Sequence, residues 1–376
     1  MRRFPSRPLP DFKCLHRALS RDVTLDNELT FFQLGRDALV YGLEALGIEP
    51  GATILIPAYM CNSTIKPLMN LGYNIIFFDV KVDLNCDLNI IESLISSSNV
   101  KAILSVHYFG FPCDLGALVK LCRQYDVRVI EDCSHSYLTQ ISGRSVGYFG
   151  DMAIYSMRKT VAIPDGGALK LNVGIPLNPQ FIEKKMQLFK EVLYLASRVL
   201  ETIICFIGFP NLYSAKIDWV KKIMRNIGSS ENGNVNLTVR ATPIKGSFQL
   251  KAYLYDSDYT SYVVERRRHN YKLLVGEAEK LGFKVLFPQL PDGCVPQFFI
   301  LIDETHQLAP WLREQCIGAV VWPGPELPQE ISSFIDDFPI TNYLNDNLVM
   351  LPIHQSVSDE QCRSTIALLQ RFVGSK

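Results

Sequence analysis

Short apolar runs alternate with amphipathic stretches through the first half of the chain. The runs fall at residues 54–58, 75–80, 102–108, 127–133, 152–157 and 168–171, and Ile, Val and Phe recur in them. Between them, residues 36–46, 63–71, 90–96 and 115–125 carry helical patterns. Runs this short and this apolar predict strands buried on both faces, so the pattern predicts a mainly parallel sheet covered by helices. That α/β core reaches Leu171. From about 172 to 246 the pattern turns to helix-like apolar stretches, and then to a polar loop at 229–234. A long helix is predicted over 248–279, short strands at 284–287 and 297–302, and a last helix over 359–372 after the cap-like Ser358. The C-terminal third thus reads as a second, smaller α+β domain. The predicted division is a large domain over 1–245, with an apolar helical insertion at about 175–225, and a small domain over 246–376. No internal repeat is visible.

The apolar stretch 186–213 raises the question of a membrane span. Lys190, Glu191, Arg198 and Glu201 interrupt it and Pro210 closes it. A spanning helix needs about 20 largely uncharged residues, so a span is rejected. The spacing suits amphipathic helices that are buried or face a second subunit, in preference to shallow contact with a membrane surface.

Composition changes little in this picture. Apolar residues make up 48% and charged residues 20%, and 38 Lys+Arg balance 38 Asp+Glu. With no charge excess and no basic stripe, no nucleic-acid partner is expected. The ten cysteines are scattered, without CxxC pairs or zinc spacing, so no metal site is expected. Free thiols in a reducing compartment, and no apolar run after Arg2-Arg3, point to a cytoplasmic protein.

Two segments bear chemistry. In Val127-Arg128-Val129-Ile130-Glu131-Asp132-Cys133 a mostly apolar strand runs into two carboxylates, where parallel sheets place ligands. On that pattern alone, Asp132 is as readily a helix cap as a site residue. In Tyr155-Ser156-Met157-Arg158-Lys159, followed by Pro164-Asp165-Gly166-Gly167, a lysine follows a short strand and a glycine pair follows the lysine. Its neutral amine can condense with an aldehyde, and the Ser156 hydroxyl can meet a phosphate. A solvated lysine at a strand end is the commoner case. His107 reads as either a site or a core histidine, His135 as a loop histidine, and His354 as packing on the last helix. Arg266-Arg267-Arg268 reads as a solvated helix face.

Taken in order, these pieces resemble the pyridoxal-phosphate (PLP)-dependent sugar aminotransferases of the DegT/DnrJ/StrS type, within the larger aspartate-aminotransferase fold. The resemblance begins at Gly35-Arg36-Asp37-Ala38-Leu39 and continues through Leu46-Gly47-Ile48-Glu49-Pro50-Gly51 and Ile56-Pro57-Ala58-Tyr59. Phe78-Asp79-Val80, Val106-His107-Tyr108-Phe109-Gly110 and Glu131-Asp132-Cys133-Ser134-His135-Ser136 follow. Gly143-Arg144-Ser145-Val146-Gly147 and Gly150-Asp151 lead into the serine–lysine segment, and Leu351-Pro352-Ile353-His354-Gln355 closes the set.

The resemblance implies a type I PLP-dependent transferase fold. Its large domain holds a mainly parallel seven-stranded sheet between helices, with a smaller C-terminal α+β domain. By the same resemblance Lys159 is the Schiff-base lysine and Asp132 the partner of the pyridine nitrogen. His135 lies near the cofactor ring, Ser156 meets the phosphate, and Gly35 and Arg36 hold the phosphate at a helix N-terminus. Cys61 falls where many relatives stack an aromatic ring on PLP, and Tyr59 or His107 are the expected replacements. The implied reaction moves an amino group from an amino acid, L-glutamate first, to a keto sugar carried on a nucleotide, in a homodimer with shared sites. The sequence departs from the family in its shorter Ser156–Lys159 spacing. It also lacks a clear Gly-x-Asn-x-Arg loop, for which Asn234, Asn236 and Arg240 are the candidates. Relatives that dehydrate deoxy sugars replace the lysine with histidine, so Lys159 favours transamination. A regulatory protein that binds PLP or a sugar without turnover is the other reading.

Overall fold

A computed structural model describes residues 5, 7–19, 28–174, 192, 194–199, 243–244, 247–324 and 326–374. The chain begins with helix α1 (Phe12–Leu19) and the short strand β1 (Thr30–Phe32). Helices and strands then alternate: α2 (Gly35–Ala45), β2 (Thr53–Pro57), α3 (Asn62–Asn70), β3 (Asn74–Phe78), α4 (Leu88–Ser97), β4 (Val100–Val106), α5 (Leu115–Gln124) and β5 (Arg128–Asp132). A small hairpin, β6 (Gln140–Ile141) and β7 (Arg144–Ser145), precedes β8 (Met152–Ser156) and β9 (Gly167–Leu171).

These strands form a seven-stranded sheet in the order β1-β9-β8-β5-β4-β2-β3. Strands β3, β2, β4, β5 and β8 are mutually parallel, and β9 alone runs against its neighbours β8 and β1. The predicted mainly parallel sheet is therefore what forms. Alternation along each strand explains the burial on both faces. Leu55, Ile103 and Val129 join one apolar cluster with α4 and α5, while Ile54, Ile56, Leu104 and Ile130 join another with α2 and α3. Helices α4 and α5 start where the side chains of Asp87 and Asp114 accept N–H bonds from Asn89 and Gly116, as caps do.

The C-terminal part contains α6 (Phe248–Leu254), α7 (Ser257–Lys280), β10 (Lys284–Val285), β11 (Phe298–Ile302), α8 (Leu308–Glu314), α9 (Gln329–Ser332), α10 (Pro339–Asn347), β12 (Leu348–Pro352) and α11 (Asp359–Gly374). Strands β10, β11 and β12 make an antiparallel sheet. Tyr271, Leu274, Phe299, Leu312, Leu351 and Leu369 bind its helices to it in a separate apolar cluster. Ser358 starts α11 with reciprocal bonds: its hydroxyl accepts from Gln361 N–H, and its own N–H donates to the Gln361 side chain.

The long helix predicted over 248–279 is two helices. Asp256 ends the first and caps the second by accepting from Tyr259 N–H at 2.9 Å, a local bond that competes with continuation. Strands β1 and β12 and the β6–β7 hairpin were not foreseen. Of the apolar stretch 186–213 only residues 192 and 194–199 are described, and they are helical. The rest of that stretch, most of the 175–225 insertion, the loop at 229–234, Asn234, Asn236, Arg240 and the boundary at 245/246 lie outside the described residues. Among the described residues no helix is long and apolar enough to cross a membrane. None of the nine described cysteines is in a disulfide.

The N-terminal segment is tied to the C-terminal part. The carbonyl of Pro5 accepts from the His354 ring at 2.9 Å, Leu9 N–H donates to the Ser356 hydroxyl, and Asp11 N–H donates to the Tyr253 hydroxyl. His354 thus meets residue 5, where packing on the last helix was expected. Burial holds its ring near a pKa of about 3, against the pull of the Pro5 carbonyl.

Candidate active site

Parallel strands bring their C-terminal ends to one edge, and each end delivers a polar group there. Strand β5 ends at Asp132, which is buried; its Oδ1 accepts Ser134 N–H at 2.8 Å and its carbonyl accepts His107 N–H at 3.1 Å. His135 follows, with its ring stacked on Phe109 at 5.3 Å and 13°. Burial, and then the charge of Lys159, hold the His135 ring well below the usual histidine range, so it is neutral.

Glu131, on the opposite face of β5, explains why this edge is rigid. Its oxygens accept from Gly147, Phe149 and Gly150 N–H at 2.6–2.8 Å and lie 3.1 Å from His107 Nε2. Burial would raise this carboxyl, but the His107 contact and the glycine N–H groups win and lower it. Burial would likewise depress His107; Cys113, Cys133 and Glu131 reverse this and raise it well above the usual range. Ligating atoms of His107, Glu131 and Cys133 lie within 4.8 Å of one another. Both Glu131 oxygens are already engaged, so the trio acts as a buried hydrogen-bond hub. His107 is thus the core histidine of its two readings.

Strand β8 ends at Ser156 and passes into a tight turn, Met157–Lys159. Three bonds fix the carbonyl of Thr160 and the turn itself: Thr160 N–H to Met157 carbonyl at 2.8 Å, Arg267 Nη2 at 2.9 Å and Gln355 Nε2 at 3.1 Å. Arg267 is 1% exposed and also reaches the Pro296 and Gln297 carbonyls. The solvated face expected for the arginine triplet is wrong at its centre, because backbone carbonyls there satisfy the guanidinium. The Lys159 amine meets no hydrogen-bond or ion-pair partner among the described residues. Burial lowers its pKa; Cys61 and Asp132 pull it back up, and Arg158 and Arg7 press it further down.

The glycine pair after Lys159 has a spatial purpose. A Cβ at Gly167 would strike the backbone of Leu34 and come within 2.8 Å of Gly35 N. Strand β9 can therefore carry the start of α2 only without a side chain there. Gly35 in turn lies against Ser134 and Ser156, each 3.6 Å from where its Cβ would be. The first turn of α2 is thereby set beside the ends of β5 and β8.

Gly35, Arg36, Cys61, Asp132, His135, Ser156 and Lys159 all line one solvent-open cavity of about 580 Å³. Arg158, Ser63, Thr64 and Trp322 also line it, and none of these four was singled out from the sequence. Tyr59 and His107 are wholly buried and do not line it. The aromatic ring at the cavity is Trp322, met nearly at right angles by Tyr59, Tyr108, Phe109 and His135 at 4.9–5.6 Å. Tyr59 also donates to the Trp322 carbonyl at 2.6 Å. Arg158 adjoins Lys159 and was open to inspection; nothing local in the sequence ties Trp322 to the other residues.

A lysine, a carboxylate and a helix N-terminus gather at one edge of this sheet, and solved aminotransferase structures share the fold over the whole length. Helicobacter pylori PseC, an aminotransferase of pseudaminic acid biosynthesis, superposes with a TM-score of 0.71 at 16% identity, covering 100% of both chains. The PLP form of the sugar aminotransferase Spr1654 from Streptococcus pneumoniae superposes at 0.70 with 14% identity and 99% coverage of each chain. Residues 30–183 match the model of the DegT/DnrJ/EryC1/StrS aminotransferase family. A UDP-N-acetyl-3-dehydro-α-D-glucosamine 3-aminotransferase from Acidithiobacillus ferrooxidans is 36% identical over 138 residues, 35% of this chain. That match spans 37% of the relative's own length.

Proposed function

We propose that the protein is a PLP-dependent aminotransferase that moves an amino group from an amino acid, L-glutamate first, to a keto sugar carried on a nucleotide. One observation carries this reading: the unpartnered Lys159 amine and the Asp132 carboxylate open into one cavity, beside the first turn of α2. The residues fit the cofactor. Arg36 Nε is buried without a partner among the described residues, as suits an anion, Asp132 offers a carboxylate for a ring nitrogen, and Lys159 offers an amine.

When bound, PLP supplies a carbon that takes up amino groups and a ring that accepts the electron pair released at the amino carbon. The protein does the rest. Lys159 would hold the cofactor through its amine, and its freed Nζ would carry a proton away from the donor's α-carbon. Its lowered pKa leaves more of the amine neutral for that work. Asp132, fixed by Ser134, holds the proton on the ring nitrogen. The neutral His135, flat against Phe109, would border the bound cofactor without adding charge. The same reading places the protein in the cytoplasm as a homodimer with shared sites, divided into domains near residue 245.

Absorption of the purified protein with PLP, before and after L-glutamate, tests this. A visible band that yields to glutamate, and is absent in Lys159→Ala, is expected. A band that ignores glutamate keeps the cofactor and removes the donor. No band removes the enzyme and leaves a binding protein. Turnover of Lys159→Ala at the wild-type rate would exclude Lys159 as the catalytic group.

A further inference from the structure

The hub behind β5 has an open edge. His107 and Glu131 are fully buried, but Cys113, which touches His107, is half-buried and lines a second cavity. That cavity is solvent-open, has a volume of about 290 Å³ and shares only Val106 with the one that holds Lys159. Three groups stand in line behind it. Glu131 Oε2 lies 3.1 Å from His107 Nε2, and Cys113 Sγ lies 3.4 Å from His107 Nδ1. With the thiol proton on sulfur, Nδ1 accepts Cys113 N–H at 3.1 Å, and the ring proton sits on Nε2 facing the carboxylate. The ring can also take up the thiol proton. Burial opposes this, but Cys113, Cys133 and Glu131 outweigh it and hold His107 well above the usual histidine range. Ser105 Oγ, 3.2 Å from Sγ, can donate to the sulfur as charge builds there. A thiol with a base in reach, and a carboxylate that orients the base, are the parts of an activated nucleophile.

We propose that Cys113 is a modification site, a thiol activated by His107 and Glu131 and oxidised by a small hydroperoxide. The sulfur attacks one peroxide oxygen, so that an S–O bond forms as the O–O bond breaks. The thiol proton passes to His107 Nδ1 and from there to the departing oxygen, which leaves as water or an alcohol. Sulfur is oxidised to the sulfenic acid and the peroxide is reduced, so no further reactant is needed. The cavity selects this class of reactant. It has half the 580 Å³ of the cavity at Lys159, Phe78, Val80 and Leu104 make its walls largely apolar, and Asp114 is its one charged group. A small neutral oxidant is admitted, and an anionic one or a peptide disulfide is disfavoured. Cys86 lines the same cavity and is also half-buried, but it is hydrogen-bonded to no histidine among the described residues. Burial, and then Cys113, push its thiol up to about 11.

Two thiols at one entrance, only one of them beside a histidine, make the test internal to the molecule. The full-length wild type is treated with limiting hydrogen peroxide, sulfenic acid is trapped with dimedone, and peptide mass spectrometry gives the rate at each cysteine. Assistance by a positioned base is worth about 10²–10⁴-fold, so Cys113 is expected to be labelled at least about tenfold faster than Cys86 or the half-buried Cys316. Alkylation by iodoacetamide, a small neutral probe, is expected to follow the same order. His107→Gln is expected to remove the lead of Cys113 with both reagents. Labelling of Cys113 no faster than Cys86 in the wild type overturns the proposal. So does a His107→Gln protein that folds, as circular dichroism reports, and keeps the lead. Should that variant fail to fold, the wild-type comparison of Cys113 with Cys86 decides alone.

Discussion

At the scale of single residues, the site works by placing charge where water is scarce. Lys159 is lowered chiefly by burial, with Arg158 adding to the effect. Capture of PLP needs the neutral amine, so its rate falls as pH drops through the Lys159 pKa. Removing the Arg158 charge lets Lys159 hold its proton to higher pH. Arg158→Gln is therefore expected to move the acid limb of PLP capture upward, in part only, since burial remains. Stopped-flow absorbance across pH measures this; a limb unmoved or moved downward would refute the coupling.

His354 makes the opposite kind of statement, about stability. Its folded pKa is about 3, against about 6.5 unfolded. The unfolded chain binds the proton first, so the folded state loses stability as pH falls from 6.5 towards 3, by up to about 1.4 kcal/mol per unit. His354→Asn is expected to flatten that fall in urea unfolding at pH 7 and pH 5. The variant keeps an N–H that can reach the Pro5 carbonyl. An unchanged slope would show that other groups carry it.

At the scale of elements, the strand that supports the start of α2 matters more than the helix itself. Gly167→Ala drives a methyl into the Leu34 backbone and displaces the first turn of α2. The expected cost is about 1–3 kcal/mol, together with weaker PLP binding. Gly276→Ala is the control: it lies in α7 with open space around its Cβ, and should stabilise by up to about 1 kcal/mol. Thermal unfolding of both variants separates a local clash from a general response to lost glycine.

The elements also show what can be read from a sequence and why. Strands β2, β3, β4, β5 and β8 were legible because burial on both faces makes each a nearly continuous apolar run. Strand β1 has three residues, too few to carry a pattern, and β12 follows α10 with no turn signal between them. The break at Asp256 was missed because a single capping bond, with no glycine or proline, creates it. Arg267 was misread because its partners, the carbonyls of Thr160, Pro296 and Gln297, lie far away along the chain. Trp322 escaped for the same reason: what gives it meaning is the four rings around it.

At the scale of the whole molecule, the cavity belongs to both parts of the chain. Its floor and its cations come from the ends of the large sheet's strands and from α2 and α3, and its aromatic wall comes from Trp322, beside the three-stranded sheet. The turn bearing Lys159 is likewise held from outside, by Arg267 of α7 and by Gln355 just beyond β12. A fragment ending near Leu171 would keep most of the parallel strands and lose the groups that fix the lysine.

The tether between residue 5 and His354 also has a meaning in time. The two partners are 349 residues apart, so at ordinary rates of synthesis the acceptor leaves the ribosome roughly 20–70 s before its donor exists. Pro5 and Leu9 must wait for nearly the entire chain before they meet His354 and Ser356, whereas Asp11 can meet Tyr253 earlier. The docking of Pro5 thus records that synthesis has passed His354.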